Sequence, residues 1–166
     1  AYTLGEPSPL PELEIQYADY AMWQRQCLQG ETLANLVSYW KERLAGRVSM
    51  LRLPTDHPRP QDLRFRGAGE SLQLSKETAE RLKTLSRSQG MTLFMTLLAA
   101  FKVLLLRYSG QDDIVVGSAT ANRNNKQTEK LMGFFVNMLV LRTNLSGNPT
   151  FREALNRVRQ VALGAF

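Results

Sequence analysis

The sequence predicts a mixed α/β (α+β) fold in which helices cover a sheet. Five segments place apolar residues at helical spacing, and three short segments have the pattern of strands. The strands are interspersed with the helices along the 166 residues of the chain. The composition agrees with a globular protein, since 43% of the residues are apolar and 22% are charged.

The first 46 residues predict two helices. Three prolines keep residues 1–14 extended, and a helix follows over residues 16–28. Gly30 interrupts it, and a second helix runs over residues 33–46. Both tryptophans lie in these helices, and aromatic residues at helical spacing predict that the two helices pack in a core.

Residues 47–69 predict an extended tether between two packed parts of the protein. Pro54, Pro58 and Pro60 lie within seven residues and exclude a helix or a central strand. They surround His57, the single histidine of the chain. A histidine in a proline-rich surface loop is expected to be solvated, so His57 is a poor candidate for a catalytic base.

A strand and a helix follow the tether. Residues 71–74 alternate apolar and polar side chains, which is the pattern of a half-buried strand. Ser75 is a suitable N-cap for a helix that ends at Gly90. The residues of this helix that we expect to face inward are Ala79, Leu82 and Leu85.

The next helix begins after Thr92, runs over residues 93–108 and is apolar on nearly every side. Such a helix is either buried or spans a membrane. It is too short for a span and contains Lys102, so we expect it to be the central buried helix.

Two more strands are predicted after this helix. Residues 114–116 are apolar on both faces, as in a covered sheet, and residues 136–143 form the strongest strand pattern of the chain. A polar loop over residues 119–128 and a helical turn over residues 129–134 lie between them. Three strands are few for an independent sheet, so we expect the chain to be part of a larger domain.

The last helix is predicted by its capping pattern. Thr150 and Glu153 have the spacing of a capping box. The helix that they open has apolar residues at helical spacing. Its expected buried stripe consists of Phe151, Ala154, Leu155, Val158 and Ala162.

Composition excludes several classes of protein. The chain has 21 basic and 15 acidic residues, a net charge of +6, and one cysteine, which rules out a disulfide framework within the chain. One cysteine and one histidine also argue against a zinc site. The N-terminus lacks a signal pattern and no apolar run has membrane length, so we expect a cytoplasmic protein. Four consecutive basic residues never occur, so the basic second half predicts a solvated surface in preference to a nucleic-acid site.

The residues contain no complete catalytic set. Ser118 lacks the G-x-S-x-G context of a nucleophile elbow, and Cys27 has no histidine near it in sequence. The acidic pair Asp112 and Asp113 lies at the start of a strand, where such pairs usually serve turns and solubility. A Walker loop and a G-x-G-x-x-G motif are also missing from the sequence.

Two segments resemble motifs of a known family. Residues 17–23, YADYAMW, resemble the YxDYAxW motif of condensation domains in nonribosomal peptide synthetases, and residues 132–142, MGFFVNMLVLR, resemble the family's GxFVNTxxxR motif. Met22 and Met138 stand where valine and threonine are usual. The family's HHxxxDG motif and its later motif with a Gln-Asp-x-Pro-Phe-Glu core do not occur in this sequence.

The resemblance implies a chloramphenicol-acetyltransferase-like fold, a two-layer sandwich of sheet and helices, of which this chain forms a partial lobe. It divides the chain into a helical connection from the first lobe (1–46), the tether (47–69) and a partial second lobe (70–166). The implied function is to form part of a domain that joins carrier-bound aminoacyl or peptidyl thioesters by an amide bond. Without the histidine motif, the chain would supply tunnel wall and carrier-facing surface and would be inactive by itself.

The resemblance also implies candidate site residues. Asn137 either faces the substrate tunnel or makes a structural bond to the backbone, and we prefer the structural interpretation. Asn122, Arg123 and Asn124 follow a buried strand in a polar loop, where α/β folds place ligand contacts, and they are candidates for contact with the substrate tunnel or with the other lobe. Arg142 could pair with a carboxylate, but we prefer an end of the strand in solvent. The residues that anchor the two motifs are Tyr17, Asp19, Trp23 and Arg142.

The implied partners are carrier domains with their phosphopantetheine arms, adjacent synthetase domains and the first lobe of the same domain. The chain itself is expected to bind no cofactor, metal or membrane. Because carrier domains are commonly acidic, Arg123, Lys126 and Lys130 are candidates for attracting them. The alternative function is a noncatalytic docking or interaction module with the same fold.

Overall fold

The computed structural model describes residues 2–46, 48–57 and 67–166, so part of the predicted tether, with Pro58 and Pro60, lies outside the described residues. The chain divides into two compact units. Unit 1 consists of Ala1–Ala45 and Ala119–Met138, and unit 2 of Gly46–Ser118 and Leu139–Phe166. The division into a connection, a tether and a partial lobe stays a prediction.

Six α-helices and two strands are found in the described residues, with a short 3-10 helix at Tyr2–Leu4. Their order, helix, helix, helix, helix, strand, helix, strand, helix, is that of a mixed fold. The elements are α1 (Tyr17–Cys27), α2 (Gly30–Arg43), α3 (Lys76–Ser88), α4 (Leu93–Ser109), β1 (Asp113–Thr120), α5 (Lys126–Glu129), β2 (Asn137–Asn144) and α6 (Phe151–Ala165).

Helices α1 and α2 lie where the sequence predicts them, but their burial differs from the prediction. Gly30 has a φ of +54°, a left-handed conformation that glycine adopts without strain, so the chain can turn between the two helices. Neither helix contains a buried residue, and Trp23 is 53% exposed. The predicted core packing of these two helices is therefore wrong, since their apolar side chains remain exposed or half-buried in the described residues.

The core of unit 2 forms where α4 packs against α3 and α6. Its main cluster is apolar and also includes a residue of β2, and the same cluster contains most of the stripe predicted for α6. Phe151, the first residue of that predicted stripe, is exposed instead. The cluster consists of Met91, Met95, Leu98, Ala99, Leu141, Leu155, Val158 and Ala162.

The predicted caps of the three unit 2 helices are confirmed. The side-chain oxygens of Ser75, Thr92 and Thr150 each accept a hydrogen bond from the backbone N–H three residues later, at 3.1, 3.2 and 3.3 Å. The Glu153 carboxylate accepts the Thr150 N–H in return at 2.7 Å, which completes the capping box. Within α3 the inward face differs slightly from the prediction, since Leu85 is exposed and Ser86 is buried.

Strands β1 and β2 form a two-stranded sheet. The Leu145 N–H donates to the Asp112 carbonyl at 2.7 Å, so the end of β2 lies beside the start of β1 and the strands run antiparallel. The strand predicted at residues 71–74 is wrong, because these residues lack regular structure and Leu72 is 87% exposed. Alternation alone does not form a strand where no neighbouring strand pairs with it.

Helix α4 is buried on one side only. The opposite side exposes Phe94, Leu97, Phe101, Leu104 and Tyr108. The predicted central burial therefore holds for the side that faces α3, α6 and β2. Within the described ranges no single helix has the length and apolarity of a membrane span, although α3 and α4, bent by 102°, satisfy both criteria as a pair.

Lys102 is a fully buried lysine at the centre of unit 2. Its Nζ donates to the Leu141 carbonyl at 2.7 Å and to the Thr143 Oγ1 at 2.6 Å, which joins α4 to β2. Burial lowers the pKa of Lys102 from 10.5 to about 8, and the negative charge of Asp113 partly opposes this shift.

The buried ammonium predicts a pH dependence of stability. The pKa of Lys102 is lower in the folded chain than in the unfolded chain, so the protonated form destabilises the fold and the cost is relieved as the pH rises from about 8 toward 10.5. One pKa unit corresponds to about 1.4 kcal/mol. Urea unfolding should therefore show wild type gaining about 3 kcal/mol over this window relative to Lys102→Met.

The matched control is Lys76→Met at an exposed lysine of α3, whose pH profile should follow wild type. Parallel profiles for wild type and Lys102→Met would contradict the assignment of the effect to Lys102.

Candidate functional site

Unit 1 contains an open cleft of about 760 Å³. One side is formed by α1 and α2, and the other by the asparagine loop, which we define as residues 121–125 (ANRNN). Three predicted site residues, Asn122, Asn124 and Asn137, line the cleft together with Trp23. The remaining lining residues are Tyr20, Gln24, Cys27, Leu28, Leu36, Asn125, Lys126 and Thr128.

The asparagine loop begins with a left-handed turn. Asn122 has a φ of +51°, a conformation that asparagine tolerates better than most residues with a Cβ. Its backbone N–H donates to the Thr120 Oγ1 at 3.4 Å. At the other end of the loop, the Asn125 Oδ1 accepts the Gln127 N–H at 3.0 Å and caps α5. The helical turn predicted at residues 129–134 therefore lies earlier in the chain.

The side chains of Asn137 and Asn124 differ in what they contact. Asn137 is exposed, and its Oδ1 accepts the N–H of Met138 at 2.8 Å, a backbone bond of the kind that we preferred. Asn124 is also exposed, and its side-chain amide has no hydrogen-bond partner within the described residues. Its donor and acceptor are therefore available to a group that enters the cleft.

An aromatic cluster beside the cleft brings the two motif segments together. The Tyr17 hydroxyl donates to the Phe134 carbonyl at 2.9 Å. The ring of Phe135, which is buried, has its centroid 5.2 Å from that of Tyr17 and 4.7 Å from that of Tyr20. Edge-on and tilted ring pairs at these distances are favourable. The residues that the resemblance marks in α1 thus contact the residues that it marks before β2.

Gly133 allows this close approach. A Cβ at Gly133 would lie 2.7 Å from the Tyr17 Cε2, a distance at which atoms overlap. The Tyr17 ring therefore packs directly on the backbone of the segment before β2. In the sequence, Gly133 is recognisable only as part of a motif. The packing of Tyr17 shows why a residue without a Cβ is needed at this position.

Arg123, in the middle of the asparagine loop, has a half-buried side chain. Its guanidinium donates to the Thr128 carbonyl and, at 2.9 Å, to the Leu131 carbonyl. It also lies over the Phe135 ring, with 4.1 Å between Cζ and the ring centroid, a cation–π contact. Arg123 is therefore joined to the aromatic cluster and does not line the cleft.

The other predicted anchors of the first motif have different roles. The Asp19 carboxylate accepts the Gln16 N–H at 2.8 Å and so closes the first turn of α1. Trp23 packs its ring 5.8 Å from that of Tyr20 and presents the rest of its surface to the cleft. The Tyr17 side chain contacts the second motif segment through its hydrogen bond to Phe134.

Arg142 lies in unit 2, and the preferred expectation for it is wrong. It makes an ion pair with Asp113, with Nε 3.0 Å from both carboxylate oxygens and Nη2 2.8 Å from Oδ2. The carboxylate raises the pKa of the guanidinium. An arginine at the end of one strand reaches the start of its antiparallel neighbour, a pairing that the order of residues alone does not reveal.

No aspartate, glutamate or histidine is among the described residues that line the cleft. His57 and Cys27 are exposed, and Cys27 lines the cleft. Among the described residues, no group of three or more histidine, cysteine or acidic side chains could hold a metal ion. The arrangement offers amide hydrogen bonds and apolar contact, which can position a ligand.

Several residues that shape this site carry no recognisable signal in the sequence. Phe135 was matched only as a member of a motif, and its contact with Arg123 carried no signal in the sequence because the two residues lie twelve positions apart in an irregular segment. The carbonyls of Thr128 and Leu131 could not be found from side-chain chemistry at all.

Comparison with protein families matches residues 1–166 to the condensation domain. The chain belongs to this family. It is 54% identical over 166 residues to a linear gramicidin synthase of Brevibacillus parabrevis, covering 100% of this chain and 3% of that synthase. It is 48% identical over 165 residues to malpinin synthetase of Mortierella alpina, covering 99% of this chain and 2% of that synthetase. The chain thus spans a small part of the relatives it matches, which are nonribosomal peptide synthetases.

Solved structures have the same fold. The X-domain in complex with OxyB from teicoplanin biosynthesis has a TM-score of 0.87 and 30% identity, covering 98% of this chain and 37% of that chain. The first condensation domain of the CDA synthetase, at 18% identity, has a TM-score of 0.76 over 98% of this chain and 35% of that chain. The predicted fold class, chloramphenicol-acetyltransferase-like, is confirmed.

The packing of Tyr17 on Gly133 predicts a steric effect of one methyl group. Gly133→Ala should displace the Tyr17 ring and lower the free energy of unfolding by about 1–3 kcal/mol, as overpacking does. Chemical denaturation measures this loss, and near-ultraviolet circular dichroism should show the displaced ring.

Gly69→Ala is the matched control, because a Cβ there has no atom within 4 Å. Its stability should stay within about 0.5 kcal/mol of wild type. Equal stability of the two variants would refute the close packing of Tyr17.

Proposed function

We propose that the chain forms part of a condensation domain that joins thioesters held by two carrier domains. In this reaction the amine of the acceptor attacks the thioester carbonyl of the donor, a C–N bond forms, the C–S bond breaks, and the proton lost by the amine balances the thiol that leaves. The phosphopantetheine arms of the carriers supply both thioesters. The cytoplasm stays the predicted location.

The observation that carries the proposal is the joining of the two family motifs beside one cleft. Tyr17 and Tyr20 of the first motif contact Phe135 of the second, and Trp23 and Asn137 line the adjoining cleft. Motifs that are more than a hundred residues apart are thus gathered around one concave surface. This arrangement supports a role for the cleft as part of a substrate-facing wall.

The chemistry of the cleft suits a ligand that alternates amide and methylene groups. Gln24, Asn124 and Asn137 present side-chain amides, which can donate and accept hydrogen bonds. Trp23 and Leu36 supply apolar contact surface. Such a wall would contribute by holding a reacting thioester in position, which lowers the entropic part of the barrier.

In this proposal the chain supplies no acid or base. Its single histidine, His57, is exposed and has no partner that marks it as a catalytic group among the described residues. The proton transfer would belong to residues of the domain outside this chain. The chain alone would therefore be inactive, while the synthetase that contains it forms the amide.

A docking module is the second candidate function, and an exposed apolar groove favours it. The groove has a volume of about 610 Å³ and lies along α2, where Leu33, Leu36 and Trp40 line it. A condensation domain would also need this face covered by the rest of the domain, so the groove does not by itself distinguish the two functions. Amide formation by the intact protein distinguishes the two functions.

The direct test uses the intact synthetase that contains this chain. With its two carrier domains loaded with an aminoacyl donor and an aminoacyl acceptor, mass spectrometry should detect a dipeptidyl thioester on the acceptor carrier. A synthetase with both carriers loaded and no amide product would overturn the proposal and support the docking module.

The basic side chains beside the cleft predict a contribution to carrier binding. Lys126 and Lys130 are both exposed, whereas Arg123 is already bonded within unit 1. The double reversal Lys126→Glu and Lys130→Glu should raise the KM for an acidic carrier about tenfold and weaken its salt dependence, with kcat nearly unchanged.

The control variant Lys76→Glu reverses the charge of an exposed lysine in α3. It should leave both KM and kcat near their wild-type values. If the double reversal behaved like this control, the carrier would not bind at these lysines.

A further inference from the structure

We propose that Arg123 is a positioning residue for the condensation reaction, and that it acts by holding the neighbouring Asn124 amide at the cleft. This inference rests on the proposed function, since the group that Asn124 would contact is the carrier-bound substrate. The contacts that support the inference all lie within unit 1.

Arg123 fastens the asparagine loop at three points. Its Nη1 donates to the carbonyls of Thr128 and Leu131, and its guanidinium plane lies over the Phe135 ring. Hydrogen bonds from a charged donor are stronger than those between neutral groups. The two carbonyls belong to the segment that follows the loop, so one side chain ties the loop, α5 and the segment before β2 together.

The contact of Arg123 with Phe135 connects the loop to α1 through the aromatic cluster. Phe135 contacts Arg123 on one side and the rings of Tyr17 and Tyr20 on others. Tyr20 in turn packs near Trp23, which lines the cleft. Arg123 therefore couples the asparagine side of the cleft to the helical side.

Asn124 depends on this support because no side-chain hydrogen bond within the described residues holds it in place. It is exposed, lines the cleft and makes no side-chain hydrogen bond within the described residues. The residue before it is bonded at three points, and Asn125 after it caps α5. The position of the Asn124 amide is thus determined by its two neighbours in the chain.

A lysine would replace this function only in part. It carries the same charge, but it has no planar guanidinium with which to stack on Phe135 while bonding two carbonyls. The half-buried location also explains why Arg123 is a poor candidate for steering a carrier, because its charge is engaged within unit 1.

The test is a double-mutant cycle in the intact synthetase, with amide formation between loaded carriers as the readout. Arg123→Met and Asn124→Ala should each lower kcat/KM about tenfold, and the double variant should fall less than about twofold further, because both changes remove the same positioned amide. Arg123→Lys should recover part of the activity. Arg152→Met, at an exposed arginine of α6, is the matched control and should match wild type.

The results distinguish a positioning role of Arg123 from a merely structural role. Losses of Arg123→Met and Asn124→Ala that multiply in the double variant would show a merely structural role for Arg123 and overturn the inference, as would wild-type activity in either single variant. If Arg123→Met fails to fold, Arg123→Lys takes its place in the cycle with the same criterion. A wild-type synthetase that forms no amide overturns the proposed function and the inference with it, whereas an active wild type with multiplying losses overturns only the inference.

Discussion

The packing of aromatic rings on the backbone of Gly133 and on Phe135 is the constraint on which the candidate site depends. Tyr17 can lie against this segment only because residue 133 has no Cβ. That contact, the hydrogen bond from Tyr17 to Phe134 and the ring of Tyr20 hold α1 against the segment before β2. The cleft exists because its two sides are joined at this point.

Unit 2 is organised by a different kind of constraint. Lys102 places an ammonium in an apolar core, where an unpaired charge would be very unfavourable. The Leu141 carbonyl and the Thr143 hydroxyl satisfy it, and in doing so they specify how α4 lies on β2. The ion pair of Asp113 with Arg142 similarly specifies the register of the two strands.

The two units suggest complementary contributions to a condensation domain. Unit 2 has a defined core, capped helices and a sheet that leaves edges for further strands. Unit 1 has little buried apolar surface of its own, but it carries the first family motif, residues 132–138 of the second motif, and the cleft. The large exposed apolar surfaces of α2 and α4 agree with a chain that spans only 37% of a similar solved domain, in which more polypeptide is available to cover them.

Local chemistry was predictable from the order of residues. The caps at Ser75, Thr92 and Thr150, the positions of α1, α4 and β2, and the family motifs follow from neighbouring residues, and they were predicted. The burial of Lys102, the partner of Arg142 and the contacts of Arg123 emerged only from the folded chain, because each depends on residues distant in the sequence. For the same reason residues 71–74 did not form a strand. Alternating apolar and polar side chains suit a strand with one buried face, but a strand also needs a neighbouring strand to pair with.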